Sequence, residues 1–153
     1  MTTIAADLSS MAADSMASDG FADFPVTKIK AVSGRLFGGC GSIVGITKFF
    51  AWLEQGRPRK RPKHGGDEEF SVLELNADGL YLWDNCYTPY RVERSFHAIG
   101  AGGQAAVALM MKAGMSPGSA VDASCDVAPS ACSRPVHVLR LADAQPKQRS
   151  RKR

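Results

Sequence analysis

Two spacings of apolar residues alternate along this chain, and their order limits the fold more than any other feature. Residues 26–32 (VTKIKAV) and 135–141 (PVHVLRL) switch between apolar and polar with period two, the pattern of half-buried strands. Ile43, Ile46, Phe50 and Leu53 recur at helical spacing, after small residues crowded at Gly38, Gly39, Gly41 and Ser42 and before Gly56. Read in order, residues 2–7 and 11–18 form a hairpin about a turn at 8–10. After a loop marked by Asp19-Gly20 and Pro25, residues 26–32 and 35–40 form a second hairpin about Ser33-Gly34. A third joins 70–75 to 80–84 through Asn76-Ala77-Asp78-Gly79, a strong turn signal. Residues 91–99 are mixed and end in a strand at 96–99. Gly100-Ala101-Gly102-Gly103 then opens a small-residue helix over 104–113, stopped by Gly114. Ser116 as N-cap and Pro117 at the first helical position start another over 118–125. Residues 135–141 are the last strand, and the chain from 142 is read as a frayed, disordered basic tail. Helices therefore come in separated groups rather than alternating singly with strands. That excludes a doubly wound parallel sheet and predicts an α+β fold of two stacked, mainly antiparallel sheets with helices on the outer faces.

With 153 residues, 44% of them hydrophobic, the chain suits one domain and one core. No apolar run approaches the ~18 to 20 residues of a membrane span, and the beginning lacks a signal-peptide pattern, so a cytoplasmic protein without membrane contact is expected. Cys40, Cys86, Cys125 and Cys132 show no CxxC spacing and no nearby His pair. They are read as buried thiols, with no metal and no cofactor. The net charge of +4 hides an uneven distribution. Ten of the 19 Lys and Arg lie in two runs, 57–63 (RPRKRPK) and 147–153 (KQRSRKR), which leaves nine against 15 Asp and Glu elsewhere. The body is acidic and the runs carry no interleaved aromatics, so nucleic acid is an unfavoured partner.

Thr2 follows the initiator methionine and leads into an apolar stretch, Ile4-Ala5-Ala6. A small second residue normally allows Met1 to be trimmed, leaving a threonine whose free α-amine sits beside its own hydroxyl. An α-amino group has an ordinary pKa of about 7.7 to 8.0, so one residue would hold both a nucleophile and a base.

Several stretches together resemble the proteasome β-subunit family of N-terminal nucleophile (Ntn) hydrolases, above all the HslV-like and phage-encoded members. They are TTIAAD at the terminus, MAADS at 11–15, TKI at 27–29, GGCGS at 38–42 and AIGAGGQAA at 98–106. MSPGSAVDAS (115–124) and the final PVHVLRL also fit. The resemblance spans residues 2–141 and implies a four-layer αββα sandwich. It also implies Thr2 as nucleophile, Asp14 as the active-site aspartate, Lys28 as the lysine beside the nucleophile, and Gly41 as the oxyanion-hole glycine. A cation near the Thr2 amine would favour its neutral form, and a carboxylate would hold that cation in place. Two stretches depart from the family pattern. Ala101, before Gly102, stands where the family has a serine. The segment 125–134 puts Asp126 out of register and leaves Ser130 and Ser133 as loose supporting candidates.

The resemblance further implies a threonine-type endopeptidase acting on peptides or unfolded protein, inside a homo-oligomeric ring fed by a separate AAA-type unfoldase. The chain has no phosphate-binding GxxxxGK[ST] of its own. Two alternatives stand beside it: a catalytically weak or inactive ring or scaffold protein, and a nucleic-acid-binding protein working through its basic runs.

Overall fold

The first strand sets the layering. β1 (Thr3–Asp7) sends Ile4 and Ala6 into one apolar cluster and Ala5 into another, as strand alternation requires. This computed structural model describes residues 1–18 and 21–145. After β1 come β2 (Ser10–Ala13), β3 (Met16–Ser18), β4 (Asp23–Pro25), β5 (Ile29–Val32), β6 (Arg35–Gly41) and α1 (Ile43–Glu54). Then follow β7 (Phe70–Asn76), β8 (Gly79–Trp83), β9 (Tyr90–Val92), β10 (Phe96–Gly100), α2 (Gly103–Ala113), α3 (Pro117–Val127), β11 (His137–Arg140) and the single-turn α4 (Leu141–Ala144).

One sheet runs β10-β1-β2-β11 and the other β5-β6-β7-β8-β9, every neighbouring pair antiparallel. Their inner faces meet through Ile4, Met11, Ile29, Leu36, Leu73 and Leu80. On the outer face of the first sheet, Ala5, Ala12 and Ala98 meet Ala106 of α2 and Ala120 of α3, so small side chains let both helices lie close. The outer face of the second carries a larger cluster, Phe37, Val72 and Trp83 against Phe49 and Trp52 of α1. The result is the α+β, four-layer αββα sandwich. At about 1.5 to 3 kcal/mol for each fully buried large apolar side chain, the three clusters hold most of the stabilising burial.

Several details differ from the sequence reading. The strand expected over 11–18 is two strands, because Asp14 turns its carboxylate back onto the chain and accepts from the Met16 N–H two residues on. β3 pairs instead with β4, in a separate two-stranded ladder. The strand expected from 26 begins at Ile29. The mixed segment 91–99 splits, β9 joining the second sheet and β10 the first. Residues 141–144 are helical, with the Leu141 N–H donating to Ser9 O. The Asp19-Gly20 loop and the basic run 147–153 lie outside the described residues.

The four-buried-thiols reading is overturned. Cys125 and Cys132 are joined in a disulfide, while Cys40 is half-buried and Cys86 exposed. Nothing in a seven-residue spacing distinguishes a pair from two separate thiols until α3 and the turn after it bring the sulfurs together. The loop 57–63 has no regular structure, as expected, yet it is tied down. Trp52 Nε1 donates to Pro58 O, Lys48 Nζ to Lys63 O, and Arg61 to Cys86 O. Arg57 lies over Trp83, beside the buried carboxylate of Glu74.

Candidate active site

The site forms at the N-terminal end of β1, which lies between β10 and β2 in the first sheet. β1 ends its ladder with Thr3 opposite Gly100, which leaves Thr2 just beyond the sheet edge, half-buried. Close approach explains the glycines there. A Cβ on Gly100, whose φ is +89°, would fall on the Thr2 carbonyl, and one on Gly102 would fall on Thr3 Oγ1. The Gly102 N–H donates to Thr2 O at 3.4 Å.

Asp14 and Lys28 meet directly beneath Thr2. The Asp14 side chain is fully buried and that of Lys28 is 6% exposed. Lys28 Nζ donates to both Asp14 carboxylate oxygens, at 2.9 and 3.0 Å, and to the Met1 carbonyl at 2.9 Å. The lysine thus touches the peptide group that joins Met1 to Thr2. Thr2 Oγ1 also donates to that carbonyl, at 2.8 Å. Asp14 is itself held by backbone donors, Thr3 N–H at 2.7 Å, Met16 N–H at 3.0 Å and Ser133 N–H at 3.4 Å. A buried charge needs partners of this kind. Burial pushes the Lys28 ammonium below the usual lysine range, and the hydrogen bond and charge of Asp14 oppose that shift without cancelling it.

Gly41 terminates β6 with φ +102°, and a Cβ there would stand 2.6 Å from Glu69 O. Glycine is required at that bend. Ser42 follows as N-cap of α1, its hydroxyl accepting from Gly45 N–H. Gly41, Lys28 and Thr2 line one cleft of about 490 Å3, whose walls include Val26, Ile46 and Phe50.

The remaining expected residues fall out differently. Ala101 is exposed in the turn before α2, and Ser130 is exposed in the turn after α3. Ser133 reaches the site through its backbone, its hydroxyl being turned to Arg134 O. Sequence reasoning missed the buried Thr3, whose N–H and carbonyl bracket Asp14 and whose hydroxyl donates to Ala131 O at 3.2 Å. The repeated threonine at 2 and 3 was the available signal. The Cys125–Cys132 link behind that contact was missed as well. Among the described residues no group of three or more His, Cys, Asp or Glu side chains could hold a metal ion, and no helix is long and apolar enough to cross a membrane.

Solved structures with this architecture include one described as Thiobacillus denitrificans BPH, 18% identical, with a TM-score of 0.67, covering 92% of this chain and 97% of that one. HslV from Trypanosoma brucei is 18% identical with a TM-score of 0.62, covering 90% and 99%. Anbu, an ancestral beta-subunit, from Yersinia bercovieri is 13% identical with a TM-score of 0.67, covering 92% and 81%. The fold is that of the proteasome-type Ntn proteins. No family model and no curated protein matches the sequence.

Proposed function

We propose that the protein is an N-terminal threonine peptidase that acts once Met1 has been removed. The observation that carries the reading is the buried Asp14–Lys28 pair with Lys28 Nζ 2.9 Å from the carbonyl that precedes the Thr2 nitrogen. Removal of Met1 would take away that carbonyl and leave the ammonium beside a new α-amine. A neighbouring cation disfavours the charged form of the amine and keeps it available as a base near neutral pH. Thr2 Oγ1 then attacks a peptide carbonyl, and its proton passes to the amine and on to the leaving group. The oxyanion is held by the backbone at Gly41, and water releases the acyl chain. The cleft beside Thr2 would hold the substrate.

The same proposal takes residues 2–141 as the catalytic domain, acting in the cytoplasm within a homo-oligomeric ring on peptide or unfolded protein delivered by a separate AAA-type unfoldase. Its test is intact mass before and after a threonine-directed electrophile. Epoxomicin, present in a solved complex of Thiobacillus denitrificans BPH (17% identical), is a first probe. Loss of Met1 and one adduct, absent in Thr2→Ala, are the expected result. Retained Met1 in the assembled protein, or an adduct unchanged in Thr2→Ala, refutes it. Ala101, which leaves no side-chain hydroxyl at that turn, favours the second reading, a weakly active or inactive scaffold of the same fold. An intact, processed oligomer with neither adduct nor amidase activity would establish that one.

A further inference from the structure

The segment between α3 and β11 has no regular structure, yet its backbone is bonded to the floor of the site. Ala131 O accepts from Thr3 Oγ1 at 3.2 Å, Ser133 O from Ser15 N–H at 3.1 Å, and Ser133 N–H donates to Asp14 Oδ2 at 3.4 Å. Thr3 and Ser15 are the chain neighbours of Thr2 and Asp14, so the position of this segment decides where the nucleophile and the carboxylate stand. What holds the segment is therefore part of the site. Two links fasten it to α3. On the outside, Arg134 bridges Asp122 at 2.7 Å and Asp126 at 3.0 Å, with all three side chains about half exposed or more. Both contacts are two-pronged, and being exposed they are screened, so this outer link weakens as salt rises. On the inside, the Cys125–Cys132 disulfide closes the turn covalently, with the two residues 5% and 3% exposed.

We propose that Cys125 and Cys132 are positioning residues for the candidate site, and that reduction of their disulfide loosens Asp14 and the β1 terminus. The activity of the site is then tied to the thiol redox state of its surroundings. The chemistry needs a dithiol reductant. One of its thiolates attacks a cystine sulfur, the other cystine sulfur leaves as a thiolate and takes a proton, and the second reductant thiol closes its own disulfide and frees the first cysteine. Two electrons pass from the dithiol to the cystine. Disulfides persist in oxidising compartments and are rare in reducing ones. In the reducing cytoplasm of the proposed function the resting enzyme therefore carries the loosened, slower site, and oxidation tightens it and raises its activity. Both sulfurs are buried, so exchange proceeds through opening of the turn at Pro129 and Ser130, which are exposed.

The activity arm of this inference rests on the threonine-peptidase reading, and the structural arm does not. The Met1-trimmed protein is compared oxidised, reduced with dithiothreitol, and as Cys125→Ala/Cys132→Ala. Alkylation and mass count the thiols in each. Hydrogen exchange is followed in peptides spanning 14–18 and 128–136, with 70–76 as an internal control. Labelling of Thr2 by the electrophile is resolved into its limiting rate and its half-saturating concentration, across pH. On reduction, exchange at 14–18 and 128–136 should rise about ten-fold more than at 70–76, which reads only the global loss of stability. The limiting rate should fall roughly ten- to hundred-fold, as expected for a displaced reacting group. The half-saturating concentration should rise by a smaller factor, because Met16, Ala17 and Val26, whose N–H donates to Ser15 O, are cleft walls tied to the loosened segment, while Ile46 and Phe50 of α1 are not. A loss of stability alone would raise exchange everywhere and leave the limiting rate of the folded fraction intact. Unchanged exchange at 14–18, or faster exchange with an unchanged limiting rate, overturns the proposal. Should the oxidised protein take no label, the peptidase reading fails and the exchange at 14–18 decides the coupling by itself. Should the double variant not fold, the reduced wild type carries the comparison.

Discussion

Replacing Asp14 by Asn keeps the shape of the side chain and removes its charge, which makes it the sharpest single perturbation of the site. In the wild type the carboxylate accepts from three backbone N–H groups and from Lys28 Nζ. An amide at the same place turns an NH2 toward one set of donors and leaves the nearly buried Lys28 ammonium without a counter-charge. The attraction across 2.9 Å is about 1.4 kcal/mol at the dielectric of water and about 6 kcal/mol at an effective dielectric of 20. Burial nevertheless holds the Lys28 pKa below its ordinary value with Asp14 present, so desolvation already outweighs the attraction. The net cost of removing one member of such a pair is about 3–5 kcal/mol, a lowering of the melting temperature by roughly 10 °C in a chain of this size.

The pH dependence of that loss carries the test. With its folded pKa below its unfolded one, Lys28 gives up its proton on folding in the window between them, and stability rises with pH across that window. Asp14→Asn removes the influences of Asp14 that raise the lysine and leaves burial, so the window extends to lower pH. The deficit against wild type should be largest near neutral pH and shrink as pH is raised toward the ordinary lysine value. Chemical denaturation at several pH values measures it, with the exposed Asp143→Asn as a control that should change little. A folded Asp14→Asn protein within about 0.5 kcal/mol of wild type, the scatter of neutral surface changes, would refute the account of the buried pair.

Glu74 predicts a second loss. Its carboxylate is 1% exposed and accepts from Arg35, Asn76 and Trp83 Nε1. Glu74→Leu should destabilise the fold by about 2–4 kcal/mol by orphaning those donors, and trypsin should then cut sooner after Arg59 and Lys60, in the loop that Arg57 no longer anchors. Thiol reactivity gives a third. Burial pushes the Cys40 thiol above its ordinary range, so the exposed Cys86 should alkylate first at neutral pH and Cys40 lag, with two alkylations in the oxidised protein and four after unfolding and reduction. Opening the Cys125–Cys132 ring should cost about 2–3 kcal/mol of global stability by chain entropy, read as a lower denaturation midpoint.

Local chemistry made part of the molecule legible from the chain alone. α1 has the bounds that the spacing of Ile43, Ile46, Phe50 and Leu53 indicates, because the helical period, the Ser42 cap and Gly56 act within a few residues. The Asn76-Ala77-Asp78-Gly79 turn and the Ser116-Pro117 start are equally local. The order of hairpins and helices was enough to exclude a parallel sheet. The break at Asp14 was not legible, because the groups that draw its carboxylate inward, Thr3 N–H, Lys28 and Ser133 N–H, lie 11, 14 and 119 residues away.

The order of elements along the sequence thus determined the layers, and the family resemblance named Thr2, Asp14, Lys28 and Gly41 as candidates. Tertiary structure decided what joins them. Segment 125–134 looked irregular, with no hydroxyl in register, and the fold uses backbone there instead, Ala131 O and Ser133 N–H, fastened by the disulfide. Backbone groups are the same in every residue, so no pattern of side chains announces which carbonyl or N–H will reach a site. Only the packing of α3 and β11 against the first sheet makes that choice.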